Sequence, residues 1–203
     1  MLEAFAIVLE MSVAMVHWCR KVMDDATLEL VKELKTEDMD CFEISGSFWA
    51  ERVAWRSYVS SQYPSFDLNH DVMPDQRFDM VIAEQVMEHV KYPYRGMRNI
   101  HSLVKPGGWA LITTPFLIQI HDNADYTRWT ALGMRYFMEE CGFSAETIAA
   151  AQWGNRDQLI ADFNACAANG GGYGWLDYVE SEHSLHNEFC YPASVWALAQ
   201  KPV

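Results

Sequence analysis

The stretch Cys41-Phe42-Glu43-Ile44-Ser45-Gly46-Ser47-Phe48-Trp49 constrains this chain more than any other. A short apolar run ends in an acid, small residues follow, and a helical pattern begins, which is the grammar of strand, tight turn and helix. Small residues behind a buried strand let the backbone approach a ligand closely, and the helix behind them offers unpaired N–H groups. A nucleotide-like cofactor suits such a turn. A glycine between strand and helix is usually only a turn, however, so the rest of the chain must decide.

Along the chain, apolar residues recur at helical spacing from Ala4 to about Lys35, predicting two helices that break near Asp24-Asp25, with Asp25 as N-cap of the second. Strand one is Cys41–Ser45, followed by a short helix from Phe48 to about Trp55. Strand two is Ser57–Ser61, closed by Tyr63-Pro64, and Ser65–Leu68 leads almost directly into a third strand. Phe78–Ala83 is a buried fourth strand bounded by acids. Met87 to about Leu103 is helical with a break at Tyr92-Pro93, Lys105-Pro106-Gly107-Gly108 is a turn, and Trp109–Thr114 is strand five. A polar loop, Gln119–Arg128, leads to a helix Thr130–Cys141 with Gly142 at its C′ position. Ala145–Ala151 reads as a sixth strand, Arg156–Ala167 as a helix and Ser194–Gln200 as the last strand. Strands alternating with helices at this spacing imply an α/β fold with a mainly parallel, doubly wound sheet. The chain divides into an N-terminal helical segment, 1–36, packing on an α/β domain, 37–203, with an irregular, aromatic and acidic insert at about 168–193.

A chain of 203 residues, half of them apolar, supports one substantial core. Its net charge of −13 would repel a phosphate backbone, and no Lys/Arg cluster offers a local exception, so neither nucleic acid nor an anionic membrane is an expected partner. A charge of that sign suits a cationic ligand, although acidity more often serves solubility. Five widely spaced cysteines without a C-x-x-C pair point to neither a disulfide framework nor a zinc site, and a reducing cytoplasm is the expected location. The apolar run Ala4–Trp18 is broken by Glu10 and is shorter than the roughly 20 residues that span a bilayer. A homodimer is left open.

Three motifs carry a resemblance: Glu43-Ile44-Ser45-Gly46-Ser47, then Phe78-Asp79-Met80-Val81-Ile82-Ala83-Glu84-Gln85-Val86-Met87-Glu88-His89, then Leu103-Val104-Lys105-Pro106-Gly107-Gly108-Trp109. In order, spacing and wording they resemble the class I S-adenosylmethionine-dependent methyltransferases. The likeness extends through His121-Asp122 and Asp125-Tyr126-Thr127-Arg128-Trp129-Thr130 to Glu140-Cys141-Gly142-Phe143. It implies a Rossmann-like, seven-stranded sheet with its last strand antiparallel, and S-adenosylmethionine lying across the carboxyl ends of the first four strands. Glu43 matches the acid of the first motif, which helps to fix the amino acid end of the cofactor through the adjoining loop. Ser45 and Ser47 stand where the family usually has glycine, and only Gly46 remains; a serine at positive φ costs about 1–2 kcal/mol. Gln62 stands where a carboxylate normally accepts from the ribose hydroxyls, the next acid being Asp67, and a neutral acceptor is the weaker one. Asp71 and Val72 match the adenine contacts, and Glu84, Gln85 and Met87 the surroundings of the methionine portion.

Methyl transfer from a sulfonium is an in-line displacement, so positioning supplies much of the acceleration, and a base is needed only where the acceptor must lose a proton. His121 is the candidate base, with Asp122 and Asp125 near enough to orient it; Asp125, Tyr126 and Arg128 are candidates to bind the acceptor. His183 and His186 have helical spacing but no third ligand nearby, and no metal is expected. The sequence thus reads as an enzyme methylating oxygen or nitrogen of a small molecule. The alternative is a non-catalytic protein of the same fold acting as a binding or scaffolding partner. A nicotinamide-dependent oxidoreductase is disfavoured because G-x-G-x-x-G is absent.

Overall fold

Residues 16–70, 75–170 and 174–203 are described by a computed structural model; the helix expected from Ala4 begins outside them. Six strands build one sheet: β1 (Asp40–Ile44), β2 (Ser57–Ser61), β3 (Phe78–Glu84), β4 (Val104–Pro115), β5 (Ala149–Trp153) and β6 (Ser194–Gln200). Their order across the sheet is β2-β1-β3-β4-β6-β5. The β1–β2, β1–β3 and β3–β4 pairs are parallel, and β6 runs antiparallel to β4 and β5. The sheet is therefore mainly parallel with its last strand reversed, as expected, and among the described residues it has six strands where the resemblance implied seven.

Side chains alternate across this sheet and fill two layers. Phe42 and Ile44, Val81 and Ala83, Ala110 and Ile112, and Val195, Ala197 and Ala199 face one core. It is closed by helix α2 (Pro93–Leu103) through Met97, Ile100 and Leu103, and by helix α3 (Ala131–Glu140) through Met134, Phe137 and Met138. On the other face Cys41, Met80, Ile82, Leu111 and Leu198 pack with Val31 of helix α1 (Trp18–Lys32) and with Trp49. Farther along, Trp18 and Met23 of α1 meet Trp153 and Trp196. Strands covered on both faces are what a parallel sheet requires. Helix α4 (Arg156–Ala168) starts at Asn155, whose side chain accepts from Gln158 N–H. No described helix is long and apolar enough to cross a membrane.

Five local expectations are corrected. Helix α1 runs unbroken through Asp24-Asp25, because Arg20 pairs with Asp24 and Lys21 with Asp25 across one helical turn. No α-helix forms at 48–55, although Glu43 accepts from the N–H groups of Phe48 and Trp49 as a helix cap would; the Trp49 carbonyl accepts from the Trp55 indole. No third strand forms among the described residues of 65–77. Asp67 Oδ1 accepts from the backbone and side chain of Asn69, while Asn99 Nδ2 donates to the carbonyls of Leu68 and His70, so a turn replaces the ladder. Lys105–Gly108 is not a separate turn but the start of β4, with a break of register opposite Phe78 and Met80. The sixth strand of the sequence reading begins four residues late, at Ala149, because Arg135 holds the carbonyls of Ala145 and Ile148.

The register break depends on Gly108. A Cβ there would lie 2.8 Å from the Asp79 carbonyl oxygen and 3.0 Å from that of Lys105. Gly108→Ala is therefore expected to lower stability by about 1–3 kcal/mol, read as the midpoint of urea unfolding. An unchanged midpoint would mean that the start of β4 can shift to admit a methyl group.

Candidate active site

Strands β1 and β3 are neighbours, yet the chain continues from β1 to β2 on one side and from β3 to β4 on the other. Such a reversal parts the loops at the carboxyl edge and opens a crevice. Each strand ends there in a non-glycine residue with left-handed backbone, Ser45 at φ 59° and Gln85 at φ 54°. Each costs about 1–2 kcal/mol against extended backbone and persists only where its surroundings fix it. Ser45 N–H is held by the Ser61 carbonyl, and Gln85 N–H by the carbonyl and hydroxyl of Thr113.

Glu43 fixes the first of these turns. It is only 1% exposed, and its carboxylate accepts from Phe48 N–H at 3.0 Å, Trp49 N–H at 2.9 Å and the Tyr58 hydroxyl at 2.6 Å. Burial, with that carboxylate beside it, holds the Tyr58 phenol well above its usual range. Gly46 is needed because the carboxylate lies so close: a Cβ at this position would stand 2.3 Å from Glu43 Oε1. Strain at positive φ thus falls on Ser45, while the glycine serves close approach. The N–H groups the sequence reading offered to a ligand are those that Glu43 uses. Ser47 is exposed on the far side of the turn.

Trp49, fully buried, donates its indole N–H to Glu84 Oε2 at 2.8 Å, and Arg20 of α1 pairs with the other Glu84 oxygen. Helix α1 is thereby tied to the end of β3. Two cavities flank this junction and share Gln85 as a wall. The larger, of about 600 Å³, is bordered by Ser45, Phe66, Asp67, Asn69, Val86, Val90, Tyr92 and Tyr126. The smaller, of about 220 Å³, is bordered by His17, Arg20, Pro115, Ile118, His121 and Trp175. His89 borders the first and His121 the second, and their rings meet edge to face at 5.0 Å.

The loop 121–128 is organised from within. Arg128 forks onto both oxygens of Asp125, whose Oδ2 also accepts from His121 N–H at 3.2 Å and lies 2.9 Å from His121 Nδ1. Burial pushes the Asp125 carboxyl up, but Arg128 and the His121 backbone outweigh it and hold the carboxyl below the usual range. Burial lowers the His121 imidazole, as do His89 and Arg128, against the opposing pull of Asp125, so the ring favours its neutral form. Glu88 is fully buried, and its carboxyl is pushed up to about 8 by loss of water.

The sequence-derived residues divide accordingly. Ser45, Gln85, Tyr126 and His121 border the cavities, and Glu43, Gly46 and Glu84 shape them from behind. Gln62 is exposed and borders neither cavity, its place being taken by Asp67. Met87 is withdrawn into the core, and Asp125 and Arg128 serve each other and His121 rather than lining a cavity. Asp71 and Val72 lie outside the described residues. Arg20, Trp175 and Asn69 were not singled out by the sequence: the first two reach the site from segments remote in the chain, and Asn69 left no motif.

The family model described as Methyltransferase domain matches residues 15–154. The chain belongs to that family, and is a methyltransferase with S-adenosylmethionine as its cofactor. No protein of curated function matches the sequence. Among solved structures, a candidate methyltransferase of Bacillus halodurans is similar at 16% identity, with 88% of this chain and 98% of that chain covered and a TM-score of 0.55. Phosphoethanolamine N-methyltransferase 2 of Haemonchus contortus, in complex with phosphomonomethylethanolamine and S-adenosylhomocysteine, is also 16% identical, covering 90% of this chain and 53% of its own, with a TM-score of 0.55. The 4+2 cyclase SpnF matches at 17% identity, 88% and 81% coverage and a TM-score of 0.52. At such identities the likeness is one of fold.

Two substitutions test the turn. Glu43→Gln replaces one accepting oxygen by a donor facing other donors, and should cost about 1–3 kcal/mol in urea unfolding. Ser45→Gly should raise stability by about 0.5–1 kcal/mol, the relief of left-handed strain exceeding the added chain entropy. A loss on Ser45→Gly would show that the serine side chain, not the backbone, governs this position.

Proposed function

We propose that this methyltransferase acts on an oxygen or nitrogen of a small-molecule acceptor, with the cofactor in the larger cavity and the acceptor in the smaller. The observation that carries this reading is the meeting of the two cavities at Gln85, beside the His89–His121 pair. A space of about 600 Å³ suits a nucleoside, and the adjoining 220 Å³ suits a small molecule or the reacting end of a larger one.

The residues present fit the cofactor's parts. Phe66, Val86 and Val90 offer an apolar wall for a purine, and the Asp67 carboxylate an acceptor for ribose hydroxyls. Ser45, at the turn after β1, borders the same cavity. Bound there, S-adenosylmethionine supplies an electrophilic methyl group on a positively charged sulfur. The chain's own contribution is to hold the acceptor in line and to keep water away, through Pro115, Ile118 and Trp175. His121, neutral and oriented by Asp125, presents an imidazole lone pair at the acceptor wall and so activates an O–H or N–H group.

Calorimetry with S-adenosylhomocysteine tests the cofactor assignment. Asp67→Ala should weaken binding about tenfold or more, and Gln62→Ala by no more than about twofold, as expected of an exposed side chain outside the cavity. The reverse ranking would move the ribose site to Gln62. His121→Ala should lower kcat on an identified acceptor by about 10²–10⁴ while leaving S-adenosylhomocysteine affinity nearly unchanged; a fully active variant would remove His121 from the chemistry.

A further inference from the structure

The wall between the two cavities brings together Glu88, His89 and His121, and their ligand-capable atoms all lie within 4.8 Å of one another. Glu88 is 0% exposed, and among the described residues neither of its carboxylate oxygens has a hydrogen-bond partner. A buried carboxylate without a donor is costly unless a cation or a proton accompanies it.

The two histidines are turned so as to supply lone pairs. His89 Nδ1 lies 2.9 Å from the Ala124 carbonyl oxygen. A carbonyl can only accept, so Nδ1 carries the proton and Nε2 the lone pair, and Nε2 stands 3.6 Å from Glu88 Oε1. His121 Nδ1 lies 2.9 Å from Asp125 Oδ2, an oxygen that also accepts from Arg128, so a proton is best placed on Nδ1 and the lone pair on Nε2. An imidazole whose outer nitrogen is bonded to a carbonyl, as in His89, is the arrangement that orients metal-binding histidines.

We propose that Glu88, His89 and His121 hold a divalent transition-metal ion, with an open coordination position for an oxygen of the methyl acceptor. Ligand atoms around a cation at about 2.0–2.2 Å are themselves roughly 3–3.6 Å apart, so the present spacing needs only small side-chain adjustment. Two imidazoles and one carboxylate suit Zn²⁺ and its first-row neighbours better than Mg²⁺ or Ca²⁺, and three protein ligands leave room for a fourth. A hydroxyl bound at that position would release its proton to solvent more readily, as metal-bound water does. The lone pair assigned to His121 above would then act through the cation. The acceptor role rests on the methyl-transfer reading; the metal site does not.

Chelator-treated protein is titrated with Zn²⁺ by competition calorimetry and with Co²⁺ by visible absorption. One ion per chain is expected, with micromolar or tighter affinity and a higher melting temperature in the presence of Zn²⁺. Glu88→Gln and His89→Ala should each weaken Zn²⁺ at least tenfold and abolish the gain in melting temperature, and Asp125→Asn should weaken it about tenfold. His183→Ala, at a ring stacked on Trp18, should leave it unchanged. Because Glu88→Gln keeps the shape of the buried side chain, its melting curve without metal reports whether the fold survives. No Zn²⁺ binding to the wild type, or equal binding to folded Glu88→Gln and His89→Ala, would overturn the site. Loss of S-adenosylhomocysteine binding with Zn²⁺ retained would count against the cofactor assignment only, and the converse against the metal only.

Discussion

Three hydrogen bonds to one buried carboxylate underlie the architecture of this site. Glu43, one residue before the end of β1, points into the layer below α1, where an unpaired charge would be untenable, and it gathers Phe48 N–H, Trp49 N–H and the Tyr58 hydroxyl. By doing so it curls the chain back on itself directly after the strand. Gly46 is pressed against the carboxylate, Ser45 is turned into left-handed backbone, and Trp49 is carried under the sheet with its indole aimed at Glu84.

A second consequence runs through Glu84. Trp49 from one side and Arg20 from the other clamp its carboxylate, joining the turn after β1, the end of β3 and the covering helix α1. The crevice of the doubly wound sheet is therefore divided rather than continuous. Gln85, anchored on Thr113, stands between the two spaces, and the loop 121–128, organised by the Arg128–Asp125–His121 chain, borders both. A cofactor and an acceptor entering from opposite sides would meet at that boundary.

Much of this was legible in the residues. The buried strands Cys41–Ser45 and Phe78–Ala83, the turn signal at Tyr63-Pro64, the helix expected from Thr130 and Gly142 after α3 are local patterns, and local patterns persist when packing agrees with them. Glu43, Gln85 and His121 were picked out by their places in the motifs after β1 and β3 and in the loop after β4. What escaped was decided by side chains capturing backbone groups. Asn99 holds two carbonyls of the segment that would have been a third strand, and Arg135 two carbonyls of the segment expected to begin the next. Asn99 and Arg135 lie on helices packed against these segments, so no window of neighbouring residues contains the competition.

Periodicity and punctuation thus settled the class of fold, since its strands and helices arise from contacts between residues near in sequence. The partners of each polar group were settled by the packed structure: Arg20 with Glu84, Asp67 at the cavity in place of Gln62, and Asp125 and Arg128 as props for His121. Charge and hydrogen-bonding capacity are properties of a residue, but satisfying them is a property of its surroundings, and buried polar groups take whichever partner the fold brings within reach.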